Sequence, residues 1–293
     1  MKFTANLMRN DIDARTWAQR RESEGWDRIS VADHFVTNTR AYPHVWVTAT
    51  AMASATTHID ITTAFVNNLF RNPVEVAQAA MTLQQVSDGR FHLGLGAGWA
   101  AAELAAAGME YPPAGVRAGA FAESAQIIRA LLHDGACHHH GNQYSIDIDG
   151  FGAPGDPPPL ICSVGGPRTI AEVTPHADAV ELKPASRATR AGALNLHELS
   201  QVTDDDLLDA VAAVRAVNSD IEIGMFVLCA IGDDAGTRAM VDALGDGLYS
   251  RFSGSPAAVA EGVEWLATTG VSVAQISAVD DAGYELFARE VLA

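Results

Sequence analysis

Short apolar runs alternate with amphipathic segments along the whole chain. Runs rich in β-branched and aromatic residues predict eight strands, at 2–8, 28–35, 59–66, 91–96, 160–164, 179–182, 221–230 and 271–279. Apolar positions at helical spacing predict helices, at 13–24, 44–56, 73–87, 117–133, 167–176, 203–217, 235–245, 255–269 and 284–292, and the alanine-rich stretch 100–107 suggests a further packed helix. Strands that alternate with helices predict an α/β fold, and eight of them favour a single (β/α)8 TIM barrel over an open doubly wound sheet. Because no linker or charge run divides the chain, we expect one domain over residues 1–293.

One stretch interrupts this alternation. Residues 137–159, CHHHGNQYSIDIDGFGAPGDPPP, follow the fourth predicted helix and are too long for a simple loop, so we expect an irregular insertion there. Its three consecutive histidines suggest zinc, but neighbouring residues cannot converge on one ion at helix or strand spacing. Cys137 also has no second cysteine at ligand spacing. We therefore expect a solvated turn and no metal site.

The alternation of side chains within the second strand indicates which residues face the barrel axis. In RISVADHF (28–35) the bulky Ile29 and Val31 share one face, whereas the small Ser30 shares the other with His34. We expect the bulky face to meet the helices and the small face to look inward. This places His34 at the mouth of the barrel, where catalytic residues of such barrels lie.

A run of glycines ends the fourth strand. DGRFHLGLGAGW (88–99) carries Gly94, Gly96 and Gly98, and the third glycine of a G-x-G-x-x-G dinucleotide motif would fall on Trp99, so that motif is absent. By the same alternation Gly94 and Gly96 face inward and leave the inner surface bare. This bare backbone either accepts a flat ligand or relieves crowding at a bulge.

Composition and charge exclude several classes of function. A hydrophobic fraction of 48% over 293 residues is enough for a sizeable core, and a net charge of −17 argues against nucleic acid and against an anionic membrane surface. The cysteines, Cys137, Cys162 and Cys229, are odd in number and far apart, so no disulfide framework is indicated. No apolar leader or 18-residue apolar run occurs. We expect a soluble, cytoplasmic protein whose partner is a small molecule.

Three segments together resemble one known family. VADHF (31–35), FVNNLFRNPVEVAQAAMTLQQVSDGRFHLGLGAGW (65–99) and PLICSVGGPRTIAEVTPHADAV (159–180) resemble the luciferase-like flavin- and deazaflavin-dependent oxidoreductases. That family includes bacterial luciferases, methylenetetrahydromethanopterin reductase and the F420-dependent dehydrogenases. The resemblance covers nearly the whole chain in the same order. It implies a TIM barrel that holds FMN or F420 across its carboxyl-terminal mouth.

The resemblance also implies which residues hold the cofactor. A non-proline cis peptide at Ala64-Phe65 would form a bulge behind the middle ring, the 96–98 backbone would run beside the ribityl chain, and SVGGPRT (163–169) would hold the phosphate. The glycines of that last segment and the free N–H groups of the helix after it suit a phosphate independently, although a plain strand-to-helix turn is the alternative. The cofactor-binding residues implied are Asp33, Ala64, Phe65, Val66, Asn67, Gly96, Ala97, Gly98, Glu103, Ser163, Val164, Gly165, Gly166 and Arg168.

His34 is the candidate catalytic residue, either as the proton donor to a substrate that receives hydride or as a group that orients the cofactor. Asn38 and Trp99 stand where the F420-dependent sugar and alcohol dehydrogenases carry a tryptophan and a glutamate. The acid–base set of those enzymes is therefore incomplete, and we do not expect oxidation of a sugar or a secondary alcohol. Glu181 and Lys183, at the end of the sixth strand, are candidates for the substrate pocket together with Asn38 and Trp99.

The resemblance favours coenzyme F420 over FMN, because Asp-His-Phe with GLGAGW is more similar to the deazaflavin members. We expect hydride transfer between reduced F420 and a C=C or C=N bond of a small organic substrate. One alternative is an FMN-dependent monooxygenase, and a second is a non-catalytic barrel that binds a flavin-like ligand. Family members commonly form dimers, so a homodimer is the expected assembly.

Overall fold

The computed structural model describes residues 1–8, 11–37, 40–152, 155–189 and 195–292. Within these ranges eight parallel strands form a closed barrel, in which each strand pairs with the next and the last pairs with the first. The barrel strands are β1 (Lys2–Leu7), β2 (Arg28–Val31), β3 (Asp60–Thr63), β4 (Phe91–Gly96), β5 (Leu160–Val164), β6 (Ala179–Leu182), β7 (Glu222–Ile231) and β8 (Val273–Ala278). The predicted (β/α)8 TIM barrel is confirmed.

Helices follow or separate the strands. They are α1 (Ala14–Ser23), α2 (Val45–Ala55), α3 (Pro73–Val86), α4 (Ala101–Ala106), α5 (Ala114–Arg129), α6 (Pro167–Val173), α7 (Leu196–Ser200), α8 (Asp204–Val217), α9 (Ala235–Leu244), α10 (Pro256–Thr268) and α11 (Asp281–Phe287). Polar side chains cap the first turns of seven of these helices, as Asn72 does for α3 by accepting the Val74 N–H at 2.9 Å. No helix of the described residues is long and apolar enough to span a membrane.

Two helices differ from the sequence prediction. The stretch 100–107 forms α4, but this helix buries Glu103 and Leu104 while most of its alanines are exposed, so its prediction as a packed alanine helix is wrong. The last helix begins at Asp281 rather than at 284, because the Asp280 side chain accepts the Gly283 N–H at 2.8 Å and caps an earlier turn.

Two predicted strands end earlier or divide. The strand predicted over 28–35 ends at Val31, so the residues that carry VADHF form the loop after β2. The strand predicted over 59–66 divides into β3 and a short segment, Val66–Asn67, which pairs with β4. The peptide bond Ala64-Phe65 between the two is cis, as the resemblance implied.

Side chains of the barrel strands alternate as predicted. Phe91, Leu93 and Leu95 are fully buried, and Phe91 meets Trp46 of α2 edge to face with ring centroids 6.3 Å apart. The bulky face of β4 therefore packs against the helices. Its glycines face the axis.

The centre of the barrel is polar. The Asn6 side-chain amide donates to the Ser277 hydroxyl at 2.9 Å, and the Ser30 hydroxyl donates to the Asn6 side-chain oxygen at 2.8 Å. All three side chains are buried. Nearer the amino ends of the strands lies a cavity of about 20 Å³ lined by residues that include Arg28 and Glu181, which is room for one water molecule.

The first part of the expected irregular insertion, up to Ile148, is a β-hairpin, whereas no helix or strand occurs in the described residues between Ile148 and Leu160. Cys137–His140 pairs antiparallel with Ser145–Ile148, so the expectation of a solvated turn over the histidines is wrong. Neighbouring histidines of this strand point to opposite sides: His138 contacts Asp147, and His139 contacts Glu123 of α5. In the part of the chain that the structure describes, no group of three or more potential ligands is placed to hold a metal ion.

Candidate active site

His34 and Glu103 form a hydrogen-bonded pair at the mouth of the barrel. His34 follows β2, Glu103 belongs to α4, and His34 Nδ1 lies 2.8 Å from Glu103 Oε2. The second carboxylate oxygen accepts the backbone N–H groups of Phe35 and Val36, the latter at 3.0 Å. Both carboxylate oxygens thus form hydrogen bonds with the loop that carries His34. The Glu103 side chain is only 5% exposed. The resemblance placed Glu103 against the cofactor, whereas the structure uses it to hold His34.

This pair fixes which nitrogen of His34 faces a substrate. Burial raises the pKa of Glu103, but the hydrogen bonds from His34 and from the Val36 and Phe35 backbone outweigh burial and hold that pKa below its usual value. An ionised carboxylate at Nδ1 requires a proton there, so Nε2 is the nitrogen left to exchange a proton.

Two aromatic rings lie against His34. The rings of Tyr42 and Trp99 meet it edge to face, with centroids 5.4 Å and 6.0 Å away. Burial, followed by the nearby Glu103 charge, raises the pKa of Tyr42 to about 12, so its hydroxyl stays protonated and donates to the Leu7 carbonyl at 3.2 Å. Trp99 is 39% exposed and forms part of the mouth. Sequence reasoning missed Tyr42, because nothing local distinguishes it from a core tyrosine.

The lowered pKa of Glu103 predicts a pH dependence of folding stability. A carboxyl group whose folded-state pKa lies below its unfolded value stabilises the protein above the unfolded value, near 4.5, and loses that contribution as pH falls through the folded value. The free energy of unfolding of wild type should therefore exceed that of Glu103→Gln at neutral pH, and this difference should shrink as pH falls below 4.5. Urea unfolding of both proteins between pH 7 and pH 3.5 measures this. A difference that stays constant to the acid end contradicts the assignment.

Asp33 holds the loop after the bulge. It accepts two hydrogen bonds from Arg71, at 2.8 and 3.0 Å, and one from the Asn67 N–H at 3.0 Å, and its side chain is 1% exposed. Burial disfavours the Arg71 charge, but pairing with Asp33 outweighs burial and raises the Arg71 pKa. The resemblance implied a cofactor contact for Asp33, whereas its carboxylate is occupied by the chain itself. Arg71 was present in the FRNP motif but was given no role.

The inward glycines of β4 make room for the bulge. A Cβ on Gly94 would lie 1.8 Å from the Thr63 carbonyl oxygen, and a Cβ on Gly96 would lie 3.1 Å from the Phe65 Cβ. The flat group against this bare backbone is thus the ring of Phe65. Of the two interpretations of the glycines, the structure supports relief of crowding at a bulge.

Gly98 and the neighbouring residues shape the next turn. Gly98 has φ of +79°, and a Cβ there would lie 2.3 Å from the Asn67 side-chain oxygen, which accepts the Leu69 N–H. Val66 is buried and Ala64 and Ala97 are half-buried. These residues lie together at the carboxyl end of β4, as the resemblance implied, whereas Asn38 lies outside the described residues.

Lys183 forms part of the floor of the mouth. Its Nζ lies 5.1 Å from the ring centroid of Phe65 and 4.3 Å from that of Phe226, and it donates to Glu181 at 2.8 Å. Glu181 is buried inside the barrel, and burial raises its pKa, opposed by Lys183. Of the two pocket candidates that follow or end β6, Lys183 reaches the mouth, with 31% of its side chain exposed, and Glu181 does not. Phe226 was missed because it lies in a long apolar strand.

The loop after β5 packs closely at one glycine and is open at the next. A Cβ on Gly165 would lie 2.6 Å from the Lys183 carbonyl oxygen, whereas a Cβ on Gly166 has no neighbour within 4 Å. The N–H groups of both glycines donate to the Thr169 hydroxyl, at 3.3 and 3.2 Å. Arg168 is held at the surface by Glu172 and the Gly115 carbonyl. Ser163 faces the axis near Gly96, and Val164 is buried in the core.

Comparison with known proteins gives matches in both sequence and structure. The model of the family described as luciferase-like monooxygenase matches residues 12–236. An F420-dependent glucose-6-phosphate dehydrogenase of Amycolatopsis mediterranei is 34% identical over 160 residues, which are 53% of this chain and 48% of the relative. The chain therefore spans about half the length of this curated relative.

Two solved structures share the fold over the whole chain. An F420-dependent secondary alcohol dehydrogenase in complex with an F420-acetone adduct has a TM-score of 0.77 and 20% identity, covering 99% of this chain and 98% of that one. The monooxygenase RslO1 from Streptomyces bottropensis has a TM-score of 0.75 and 17% identity, covering 100% and 99%. At these identities the likeness establishes the barrel fold alone.

Proposed function

The chain belongs to the luciferase-like monooxygenase family, and on this premise we propose that it is an F420-dependent oxidoreductase. It transfers a hydride between the reduced deazaflavin and a C=C or C=N bond of a small organic substrate. The curated relatives that support this proposal carry names of F420-dependent dehydrogenases. One structural neighbour is an F420-dependent alcohol dehydrogenase in complex with an F420 adduct.

The observation that carries the proposal is the His34–Glu103 pair at the mouth, with a 2.8 Å contact at Nδ1. Hydride transfer to an acceptor leaves a negative charge that a proton must neutralise. With both ring nitrogens protonated, His34 donates from Nε2 while Glu103 stabilises the imidazolium at Nδ1. After donation the ring is neutral and keeps the proton that faces Glu103. A bound water is the other possible proton source, and replacement of His34 distinguishes the two.

The residues at the mouth fit a flat, phosphate-bearing cofactor. Phe65 and Phe226 provide an apolar, half-buried floor. At Gly166, next to the start of α6, no atom lies within 4 Å of the position that a Cβ would take, which leaves space for a ligand. When bound, reduced F420 supplies the hydride. We propose that Ala64, Phe65, Gly96, Ala97 and Gly98 support its ring and ribityl chain. The residues proposed around its phosphate are Ser163, Val164, Gly165, Gly166 and Arg168.

Gly166→Val tests the phosphate loop. Because a Cβ at this position meets nothing within 4 Å, the variant should keep the wild-type melting temperature but bind F420 about tenfold more weakly, which corresponds to about 1.4 kcal/mol. Cofactor fluorescence measures the affinity. Gly152→Ala, also in open space but in the insertion, should change neither property. An unaltered affinity in the folded Gly166→Val protein would remove this loop from the cofactor site.

Paired titrations of the purified protein with F420 and with FMN test the cofactor itself. Binding of F420 in the micromolar range or tighter, without comparable binding of FMN, supports the proposal. Tight binding of FMN alone makes the protein an FMN-dependent monooxygenase. Binding of both without turnover of any acceptor supports a non-catalytic barrel.

We also propose that residues 1–293 act as one barrel domain in the cytoplasm, with a small-molecule substrate, no nucleic acid or membrane partner, and a homodimer as the assembly. Light scattering coupled to size-exclusion chromatography gives the mass directly. A mass near 62 kDa, twice the 30.9 kDa of one chain, supports the dimer, and a mass of one chain contradicts it.

A further inference from the structure

Large aromatic side chains are exposed beside His34. Phe35 and Trp99 are each 39% exposed, and Phe35 stacks on Phe70 with ring centroids 3.9 Å apart and planes 20° from parallel. We call Phe35, Phe70 and Trp99 the aromatic wall. Its residues follow β2, β3 and β4, at the same end of the barrel as His34.

The neighbouring part of the mouth also carries exposed apolar side chains. Met8 follows β1 and is 48% exposed, and Val279 follows β8 and is 57% exposed, and β1 pairs with both β8 and β2. The Met8 sulfur accepts the Asn6 amide at 3.0 Å, so it lies over the polar centre of the barrel. Exposed apolar side chains grouped at the carboxyl end of the barrel mark the binding of an apolar group.

Two described cations lie beside the aromatic side chains of the mouth, and each is paired with a carboxylate. Arg71, next to Phe70, pairs with Asp33 at 2.8 Å, and Lys183, over Phe65 and Phe226, pairs with Glu181 at 2.8 Å. To reach either cation, a phosphate or carboxylate on the substrate would have to displace its partner, and buried pairs are costly to break. Arg9, Arg190 and the Arg40 side chain lie outside the described residues.

From these features we propose that the hydride acceptor is an uncharged, planar, conjugated carbonyl compound of the cyclic enone class. Its face packs on Phe35 and its edge meets Trp99, and its carbonyl oxygen accepts a hydrogen bond from His34 Nε2. This inference rests on the proposed function and narrows its substrate class.

The reaction balances with one hydride and one proton. The hydride from the reduced deazaflavin forms a C–H bond at the β carbon, and the C=C electron pair shifts toward the carbonyl oxygen. The proton of His34 Nε2 goes to that oxygen, giving an enol that tautomerises to the saturated ketone. The substrate gains two electrons and two hydrogens, the deazaflavin is oxidised, and His34 is left neutral.

The first test is steady-state turnover with reduced F420 and cyclohex-2-en-1-one as the probe. Wild type should reduce it, and Phe35→Gln should raise KM about tenfold with little change in kcat, because the lost aromatic contact orients substrate before the transition state. Phe70→Gln serves as a second variant in case Phe35→Gln does not fold. Val47→Ser is the matched control, since Val47 is 68% exposed on α2, away from the mouth, and should leave KM unchanged.

A binding readout separates this inference from the proposed function. Cyclohexenone added to the complex with oxidised F420 should quench tryptophan fluorescence in wild type and much less in Trp99→Phe. If F420 binds and another C=C or C=N acceptor is reduced, but the enone is neither bound nor reduced, the inference is overturned while the proposed function stands. If oxidation of glucose 6-phosphate is the faster reaction, the inference and the proposed C=C or C=N acceptor both fail. If F420 itself does not bind, both fail.

Discussion

Replacing His34 with alanine is expected to lower kcat by about 10²-fold or more, because the variant loses the proton donor at the mouth. The fold should survive, since the side chain is 16% exposed and, among the described residues, makes its polar contact with Glu103. The affinity for F420 should change little if His34 acts on the substrate rather than on the cofactor. Single-turnover oxidation of bound, reduced cofactor, followed by absorbance, measures the chemical step directly. An unchanged rate would remove His34 from the catalytic role.

Glu103→Gln should reproduce part of this loss, because the amide keeps the side-chain volume but not the charge that stabilises the imidazolium. We expect kcat of Glu103→Gln to fall about tenfold. The double variant with His34→Ala should be no slower than His34→Ala alone, because Glu103 acts through His34 and the effects of the two substitutions on kcat then do not add. Additive losses would show that Glu103 acts independently. Glu123→Gln is the matched control. Glu123 of α5 also pairs with a histidine and accepts hydrogen bonds from backbone N–H groups, but these partners belong to the hairpin insertion and not to the mouth. It should leave kcat unchanged.

Gly94→Ala is expected to give the largest loss of stability. The added Cβ would lie 1.8 Å from the Thr63 carbonyl oxygen, a backbone atom that cannot rotate away. The Thr63 hydroxyl also bridges the Gly94 N–H and carbonyl, at 2.9 Å each, so separating the two strands breaks these hydrogen bonds as well. Overpacking of this kind costs about 3 kcal/mol or more in the free energy of unfolding. Urea unfolding followed by circular dichroism measures the change.

Gly152→Ala provides the comparison, because its Cβ has no neighbour within 4 Å. Its free energy of unfolding should lie within about 0.5 kcal/mol of wild type. If Gly94→Ala is as stable as this control, the strand and the bulge are not in the close contact described here.

The alternation of apolar and amphipathic segments was sufficient to predict the barrel, because strand and helix periods are local properties of the chain. The inward direction of Gly94 followed from the alternation of side chains along β4. What lies against that glycine did not follow, since Thr63 ends β3 and Phe65 lies in the bulge after it, and Thr63 is 31 residues from Gly94 in the sequence. For the same reason the sequence left the bulge and the flat ligand as open alternatives.

The resemblance to the family implied cofactor contacts for Asp33 and Glu103 but no partners within the chain. The structure gives each carboxylate such a partner, Arg71 for Asp33 and His34 for Glu103, and contact with the cofactor stays a prediction. A motif shows which residue type occurs at a position. It does not show which residue of the fold forms a hydrogen bond with that side chain.

The sequence by itself therefore determined the barrel, and it predicted the end at which the site lies and His34 as the residue that faces it. The tertiary structure alone decided which charges are paired. His34 and Glu103 are 69 residues apart, and Asp33 and Arg71 are 38 apart. A buried carboxylate must find a donor wherever the fold provides one, and closure of the barrel brings together strand ends that no local pattern relates.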